Sequence, residues 1–327
     1  MTRSPPARQP RIFVTRHLPG VEPTMRERYD AVLNSDDHTL TRDELIAGMR
    51  DCDVLIPCVT DRVDAAAIAD AGSRLGLIAN FGAGVEHLDL VACARAGIKV
   101  SNTPHTFTDD TADITMALIL GAARRLGEGT RLITEQRWTG WTPSHMLGTA
   151  LSGKRLAIVG MGAIGQALAR RARAFGMEIA YHNRRPLDPA LAEGARFCAD
   201  LDTMIAGADF LSLNCPATPE TKGLLDARRL GLMKRGSFVI NSGRGDLIDE
   251  DALVAALDSG HLAGAGLDVF RGEPAVDPRL ATMPQVFGLP HLGSATVEGR
   301  TAAGEKIIAN IEAWLAGEPL PDGVPTA

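Results

Sequence analysis

Short β-branched runs alternate with amphipathic stretches along the first hundred residues. Runs at 11–15, 53–57, 77–80 and 98–101 read as strands, and the segments between them carry apolar residues at helical spacing. That alternation predicts a parallel sheet covered by helices. Residues 110–125 then keep a helical apolar period, with Asp109 and Asp110 at the start and Arg124 and Arg125 at the end, charges that suit the helix dipole. Past a loop rich in Trp and Gly at 138–151, a second strand series begins, at 155–159, 178–182, 210–214, 238–241 and 264–269. A last helix is expected at 296–315, and with nothing else left to cover the first sheet it returns there. The pattern therefore predicts an α/β fold of two doubly wound parallel-sheet domains. The first is discontinuous, residues 1–104 plus 294–327, and the second, 105–293, is inserted into it.

Length and composition agree. A chain of 327 residues exceeds what one hydrophobic core usually sustains, and 45% hydrophobic with 23% charged residues is ordinary for a packed globular protein. The formal charge of −6 leaves no basic surplus to follow a phosphate backbone, so nucleic acid is not an expected partner. The cysteines, Cys52, Cys58, Cys93, Cys198 and Cys215, are odd in number and form no CxxC pair, which fits reduced thiols and a cytoplasmic location. The opening MTRSPPARQPR lacks the apolar run of a signal peptide, and the longest apolar stretch, near 114–123, is too short to span a bilayer. No membrane association is expected. His17, His38, His87, His105, His145, His182 and His261 show no metal-ligand spacing, and no metal is expected.

Chemistry enters with Gly160-Met161-Gly162-Ala163-Ile164-Gly165, which follows the strand RLAIV and opens a helix. In that setting the glycines permit a tight turn, close approach of backbone to a pyrophosphate, and helix packing, while the helix N-terminus attracts phosphate charge. The alternative is a Gly-rich turn without a ligand. At the end of the next strand, where an NAD enzyme usually presents an acid to the ribose, this chain has Asn183, Arg184 and Arg185. A neutral amide and two guanidiniums suit a 2′-phosphate, so NADP(H) is the preferred cofactor and NAD(H) remains possible. The alternative is a solvated loop.

Arg244 sits in FVINSGRGD, a turn at the end of a hydrophobic strand, where it can hold a carboxylate bidentately. Reduction of a keto acid also needs a proton for the forming alkoxide, and His291 in LPHLG is the candidate donor, with Glu273 as the carboxylate that orients it. Taken singly, an arginine in a loop is more often a surface residue and a histidine more often structural.

With GMGAIG at 160–165, INSGRGD, LDVFRGEP and PHLGSAT in this order, the chain resembles the D-isomer-specific 2-hydroxyacid dehydrogenase family over essentially its whole length. Within it the chain is most similar to the glyoxylate and hydroxypyruvate reductases, through NFGAGVEHLDL, the Asn-Arg-Arg segment and the tryptophans of RWTGW. The resemblance implies Rossmann-like and flavodoxin-like domains with an active-site cleft between them, the first binding substrate and the second the dinucleotide. It implies that Arg244 binds the substrate carboxylate and polarises the carbonyl, that His291 is the acid/base, and that Glu273 tunes it. Ala83 and Gly84 would give backbone N–H groups to the carboxylate. Asp268 would lie near the nicotinamide carboxamide, with Ser242, Cys215 and Pro216 lining the cofactor groove. A homodimer would form through an arm at about 110–151, from which Trp141, or failing that Trp138, reaches the neighbour's pocket; plain dimer-core tryptophans are the alternative.

The expected reaction is NADPH-dependent reduction of glyoxylate and hydroxypyruvate to glycolate and D-glycerate. Glu273 stands where formate dehydrogenases of this fold carry Gln, which argues against that chemistry, and no regulatory domain of the longer phosphoglycerate dehydrogenases is expected. Gly243 departs from the Ser or Ala of many relatives without removing a reacting group. Two rivals stay open: reduction of larger or aromatic 2-keto acids, and a non-catalytic nicotinamide-sensing scaffold, whose relatives retain the same Arg, Glu and His.

Overall fold

The computed structural model describes residues 8–325; the first seven residues of the segment read for a targeting signal lie outside them. Two units divide the chain. One runs up to Phe107 and resumes at Ala295, and the other is Thr108–Ser294.

The first unit holds strands β1 (Arg11–Val14), β2 (Asp30–Leu33), β3 (Val54–Ile56), β4 (Leu77–Ala79) and β5 (Lys99–Ser101), all parallel, in the order β2-β1-β3-β4-β5. The strands VLI and LIA are apolar at every position and wholly buried, as a parallel sheet covered on both faces requires. One face packs on Met25, Ile307, Ile311 and Trp314, the other on Leu45, Met49, Ile68 and Cys93. Ile307, Ile311 and Trp314 project from one side of the helix Val297–Leu315, whose N-terminus Thr296 caps through the Gly299 N–H at 2.9 Å. Gly76 makes the room, because a Cβ there would lie 2.6 Å from the Trp314 ring. Beyond this helix the chain turns back along β5. The Val324 N–H donates to the Val100 carbonyl at 2.8 Å and the Asn102 N–H to the Asp322 carbonyl at 3.2 Å. Asp322 is locked by Lys306 Nζ at 2.7 Å and Asn310 Nδ2 at 3.1 Å, so the edge of β5 is covered.

The second unit holds β6 (Arg155–Val159), β7 (Glu178–His182), β8 (Arg196–Phe197), β9 (Phe210–Leu213), β10 (Ser237–Asn241), β11 (Leu262–Leu267) and β12 (Val286–Gly288), again parallel, in the order β12-β11-β10-β9-β6-β7-β8. The chain builds outward from β6 to β8, then returns to β9 on the other side of β6. That reversal is the switch point at which open α/β sheets bind ligands outside their C-terminal edge. The helix Thr108–Ala123 packs on β10 and β11, and Gly266 and Gly121 let it approach: Cβ atoms there would stand 2.8 Å from the Leu118 carbonyl and 2.1 Å from the Phe287 ring.

Three departures from the sequence expectations have physical causes. β2, β8 and β12 were not foreseen, because each is short and partly exposed at or near a sheet edge and carries no sustained apolar run. β11 begins at Leu262, where an irregularity against Ser237 adds two residues. The helix expected to reach residue 125 stops at Ala123, because Arg125 adopts a left-handed φ of 56° and starts a second helix, Leu126–Thr134. Arg124 and Arg125 therefore stand beyond the first helix's last turn. No helix among the described residues is long and apolar enough to cross a membrane.

Candidate active site

In the second unit the expected residues gather on loops at the C-terminal edge of the sheet. After β6 the chain turns through Gly160, whose φ of 94° favours glycine and whose Cβ would come within 2.7 Å of the Asn214 and Cys215 backbone. Gly165 faces the Gly160 carbonyl, 2.4 Å from where a Cβ would stand. Gly162 has open space where its Cβ would be, and it is the N-cap of the helix Ala163–Ala174. Ala163 and Ile164 form the first turn, whose N–H groups have no partner within the helix. Two glycines thus serve packing, while the third leaves a cradle in front of a helix N-terminus. The loop fits a dinucleotide pyrophosphate.

Asn183, after β7, accepts the Met161 N–H through Oδ1 at 2.7 Å and so ties the glycine loop to the neighbouring strand. Arg184 and Arg185 are exposed, and among the described residues neither is in a hydrogen bond or salt bridge. Arg184 lies close enough to Glu220 to help hold that carboxyl below its ordinary range, behind the larger effects of the Thr218 hydroxyl and the backbone. Cys215 is a free, partly buried thiol pushed up to about 11 by burial, and Pro216 beside it is exposed. At that pKa the thiol is a neutral wall.

Arg244 follows β10 in a turn clamped by Asn241, whose Nδ2 donates to the Arg244 carbonyl at 2.9 Å and whose Oδ1 accepts the Gly243 N–H at 3.0 Å. Gly243 is tight, a Cβ there lying 3.2 Å from the Leu213 carbonyl. Gly245 is tighter. Its Cβ would meet the Phe270 backbone at 2.1 Å, so only glycine lets the arginine turn lie against the loop that carries Glu273.

Glu273 and His291 are joined at 2.8 Å, Oε2 to Nδ1, and the other carboxylate oxygen accepts the Phe270 N–H at 2.7 Å. Burial opposes ionisation of Glu273. The bond to His291, the Phe270 N–H and the charges of His291 and Arg244 outweigh it and hold the carboxyl below its ordinary range. Nε2 of His291 meets no protein partner among the described residues, and the side chain is 36% exposed. The residue adopts a left-handed φ of 55°, unusual for a side-chain-bearing residue. Asp268 stabilises that backbone: its carbonyl accepts the His291 N–H at 2.9 Å, and its carboxylate accepts the N–H groups of Leu292 at 2.7 Å and Gly293 at 2.8 Å. Thr111 closes the loop from the helix side, donating to the Gly293 carbonyl at 2.9 Å.

Comparison with known proteins decides the family. The D-isomer specific 2-hydroxyacid dehydrogenase, NAD binding domain, family matches residues 116–293. The chain is 38% identical to a glycerate dehydrogenase of Hyphomicrobium methylovorum, over 95% of this chain and 97% of that one. It is 39% identical to a glyoxylate reductase of Thermococcus litoralis, over 96% of each. Among solved structures it resembles an NADPH-dependent glyoxylate/hydroxypyruvate reductase of Sinorhizobium meliloti, in complex with NADP and malonate, at 33% identity and a TM-score of 0.87, with 98% of each chain covered. The chain belongs to the D-isomer specific 2-hydroxyacid dehydrogenase family.

As a D-2-hydroxyacid dehydrogenase the protein is an oxidoreductase of 2-keto and 2-hydroxy acids with an NAD-binding Rossmann-type unit. Two of the residues expected at the cofactor groove, Ser242 and Asp268, make their hydrogen bonds within the protein. The Ser242 hydroxyl is buried against Thr115 Oγ1 at 2.6 Å, and Thr115 also donates to the Thr111 carbonyl at 2.7 Å. The Asp268 side chain is 1% exposed, with both oxygens on backbone N–H groups, and burial raises its pKa. Both side chains brace the loops that carry Arg244 and His291.

In the first unit of the dehydrogenase, Ala83 and Gly84 occupy the loop after β4, also at the C-terminal edge of its sheet. Trp138 and Trp141 are exposed, 54% and 75%, in a segment of the second unit between Ala123 and Thr149, whose N–H donates to the Ala123 carbonyl at 2.8 Å. Of the 110–151 expected to form an arm, the part within Thr108–Ala123 is mostly buried helix, and the part after it is mostly exposed. Sequence reasoning missed Asn80, Asn102, Asn241 and Thr115. A shared signal existed for two of them: Asn80 and Asn241 each close or follow a strand two residues before a glycine.

Proposed function

We propose that the protein reduces glyoxylate and hydroxypyruvate to glycolate and D-glycerate, with NADPH preferred over NADH. The observation that carries the reading is the imidazole of His291, held at Nδ1 by Glu273 at 2.8 Å with Nε2 left to a substrate. When bound, the nicotinamide cofactor supplies the hydride. Gly162, Ala163 and Ile164 would hold its pyrophosphate in the turn that Gly160 and Gly165 shape, with Cys215 and Pro216 beside it. The Arg244 guanidinium binds the acid's carboxylate and draws electron density from the adjacent carbonyl. His291 gives its Nε2 proton to the carbonyl oxygen as that oxygen gains negative charge, and Glu273 orients the ring and stabilises the cation.

Support for NADPH comes from the neutral Asn183 at the end of β7 and from the exposed Arg184 and Arg185, two guanidiniums that a 2′-phosphate can pair with. The Sinorhizobium meliloti reductase, which is NADPH-dependent, adds to it. We further infer a homodimer through the arm, supported by the exposure there of Leu126, Ile133, Trp138, Trp141 and Leu147, with Trp141 reaching the neighbour's pocket. The five free cysteines support a reducing, cytoplasmic location.

Initial rates with glyoxylate, hydroxypyruvate and phenylpyruvate, each with NADPH and NADH, test the reading. Fast turnover of the two small acids with NADPH is expected, and His291→Ala should lower turnover by on the order of 10²-fold. Cofactor binding without reduction of any acid would overturn it in favour of a sensing scaffold, and faster turnover with NADH would overturn the cofactor preference.

A further inference from the structure

We propose that Asn80 and Asn102 are positioning residues that aim the backbone N–H groups of Ala83 and Gly84 at the carboxylate of the substrate, an inference that rests on the reading above. Asn80 is fully buried, and its amide is used to capacity: Nδ2 donates to the Gly82 carbonyl at 3.0 Å and the Gly84 carbonyl at 2.9 Å, while Oδ1 faces His87 Nε2 at 2.9 Å. Asn102 donates through Nδ2 to the Ala83 carbonyl at 2.7 Å, and the Thr103 N–H adds a second bond to the Gly82 carbonyl at 3.1 Å. Three consecutive carbonyls are thereby pinned. In a trans peptide the N–H points opposite the C=O, so the N–H groups of Ala83 and Val85 are turned away from Asn80 and that of Gly84 is turned away from Asn102. Among the described residues none of the three meets a protein acceptor.

Successive amides released in this way suit an anion, and a carboxylate is the anion the reaction provides. A peptide left free to rotate would instead present its oxygen to the carboxylate part of the time. Asn is needed at 80 because the position calls for two donors and one acceptor in a single planar group, whereas Asp offers the two carbonyls only acceptors. Asn102 is held in turn by its own backbone: its N–H lies on the Asp322 carbonyl at 3.2 Å, and Ser101 is bridged to Gly323. The chain's closing segment therefore braces a residue that shapes the loop after β4.

The test compares the wild-type chain with Asn102→Ala, Asn102→Gln and Asn80→Asp, each checked for folding by thermal melt and for unchanged NADPH affinity by fluorescence titration. Carboxylate binding is shared by ground and transition states, so Asn102→Ala and Asn80→Asp should raise KM for glyoxylate about tenfold or more with kcat within about threefold. Asn102→Gln, which keeps the donor, should recover part of the loss. Oxalate, a carboxylate that is not reduced, should lose affinity by a similar factor in calorimetric titration. If Asn80→Asp does not fold, the partly exposed Asn102 decides the matter. A folded Asn102→Ala with KM and oxalate affinity within twofold of wild type would overturn the proposal. Should the wild-type chain reduce no keto acid, the reductase reading has failed by itself. Oxalate binding then judges the positioning role: weakened binding in Asn102→Ala supports it, and equal binding or none in the wild type overturns it.

Discussion

Glu273 divides its two oxygens between function and scaffold, one on His291 and one on the Phe270 backbone. Its folded pKa lies below the ordinary value, so it contributes stability that is fully present above the unfolded pKa and lost as pH falls through the folded one. Glu273→Gln should therefore be less stable than wild type above about pH 5, with the difference shrinking below about pH 4, as read by urea unfolding at stepped pH. A difference that grows toward acid would contradict the assignment. At this scale Arg244, Glu273 and His291 stood out as candidates because few residue types can hold a carboxylate, pass a proton or orient an imidazole, and the structure joins Glu273 to His291. Asn80, Asn102, Asn241 and Thr115 did not. Their partners are chiefly backbone carbonyls, N–H groups and another hydroxyl, whose positions exist only once the loops have closed, and the glycine two residues after Asn80 and Asn241 marks a turn without saying what the amide holds.

The glycine loop after β6 separates fold from binding within six residues. Gly160→Ala puts a Cβ into the Asn214 backbone at a φ of 94°, and the conformation alone should cost about 1–2 kcal/mol. Gly162→Ala meets no atom within 4 Å and should hold stability within about 1 kcal/mol of wild type. It should nevertheless weaken NADPH binding about tenfold or more, because the methyl fills the space facing the helix N-terminus. Thermal melts with cofactor titrations check both, and a Gly162→Ala chain that binds cofactor normally would remove the pyrophosphate assignment. The buried strands β3 and β4 announced themselves as unbroken apolar runs, and β6 and β9 as runs with a single polar residue each, Arg155 and Ser212. The outlying β2, β8 and β12 did not, since partial exposure removes the selective pressure on side-chain character that makes a strand visible. Nor did the Arg125 break, because arginine is an ordinary helix residue and nothing in its type marks a left-handed turn.

For the whole molecule, five of the large apolar residues exposed among the described ones, Leu126, Ile133, Trp138, Trp141 and Leu147, fall in the arm. Substituting Ile133→Glu and Leu147→Glu together should convert a dimer into a species sedimenting at the 34.7 kDa chain mass, while leaving each unit folded. A wild-type chain that already sediments at that mass would remove the arm's proposed role. The α/β class followed from strand and helix alternation, and the assignment of the last helix to the first sheet followed from the absence of any other cover. Trp314, Ile311 and Ile307 meet that sheet from this helix. Their placement also sets an order on the ribosome. The unit that begins first cannot finish its core until these residues emerge, some 200 positions after Phe107, which at ordinary elongation rates is a wait of roughly 10 to 40 s. The inserted unit, continuous in sequence, is free to fold within that interval. Nascent chains cut short before Ile307 should thus present a protease-resistant second unit joined to a first unit that is still digested.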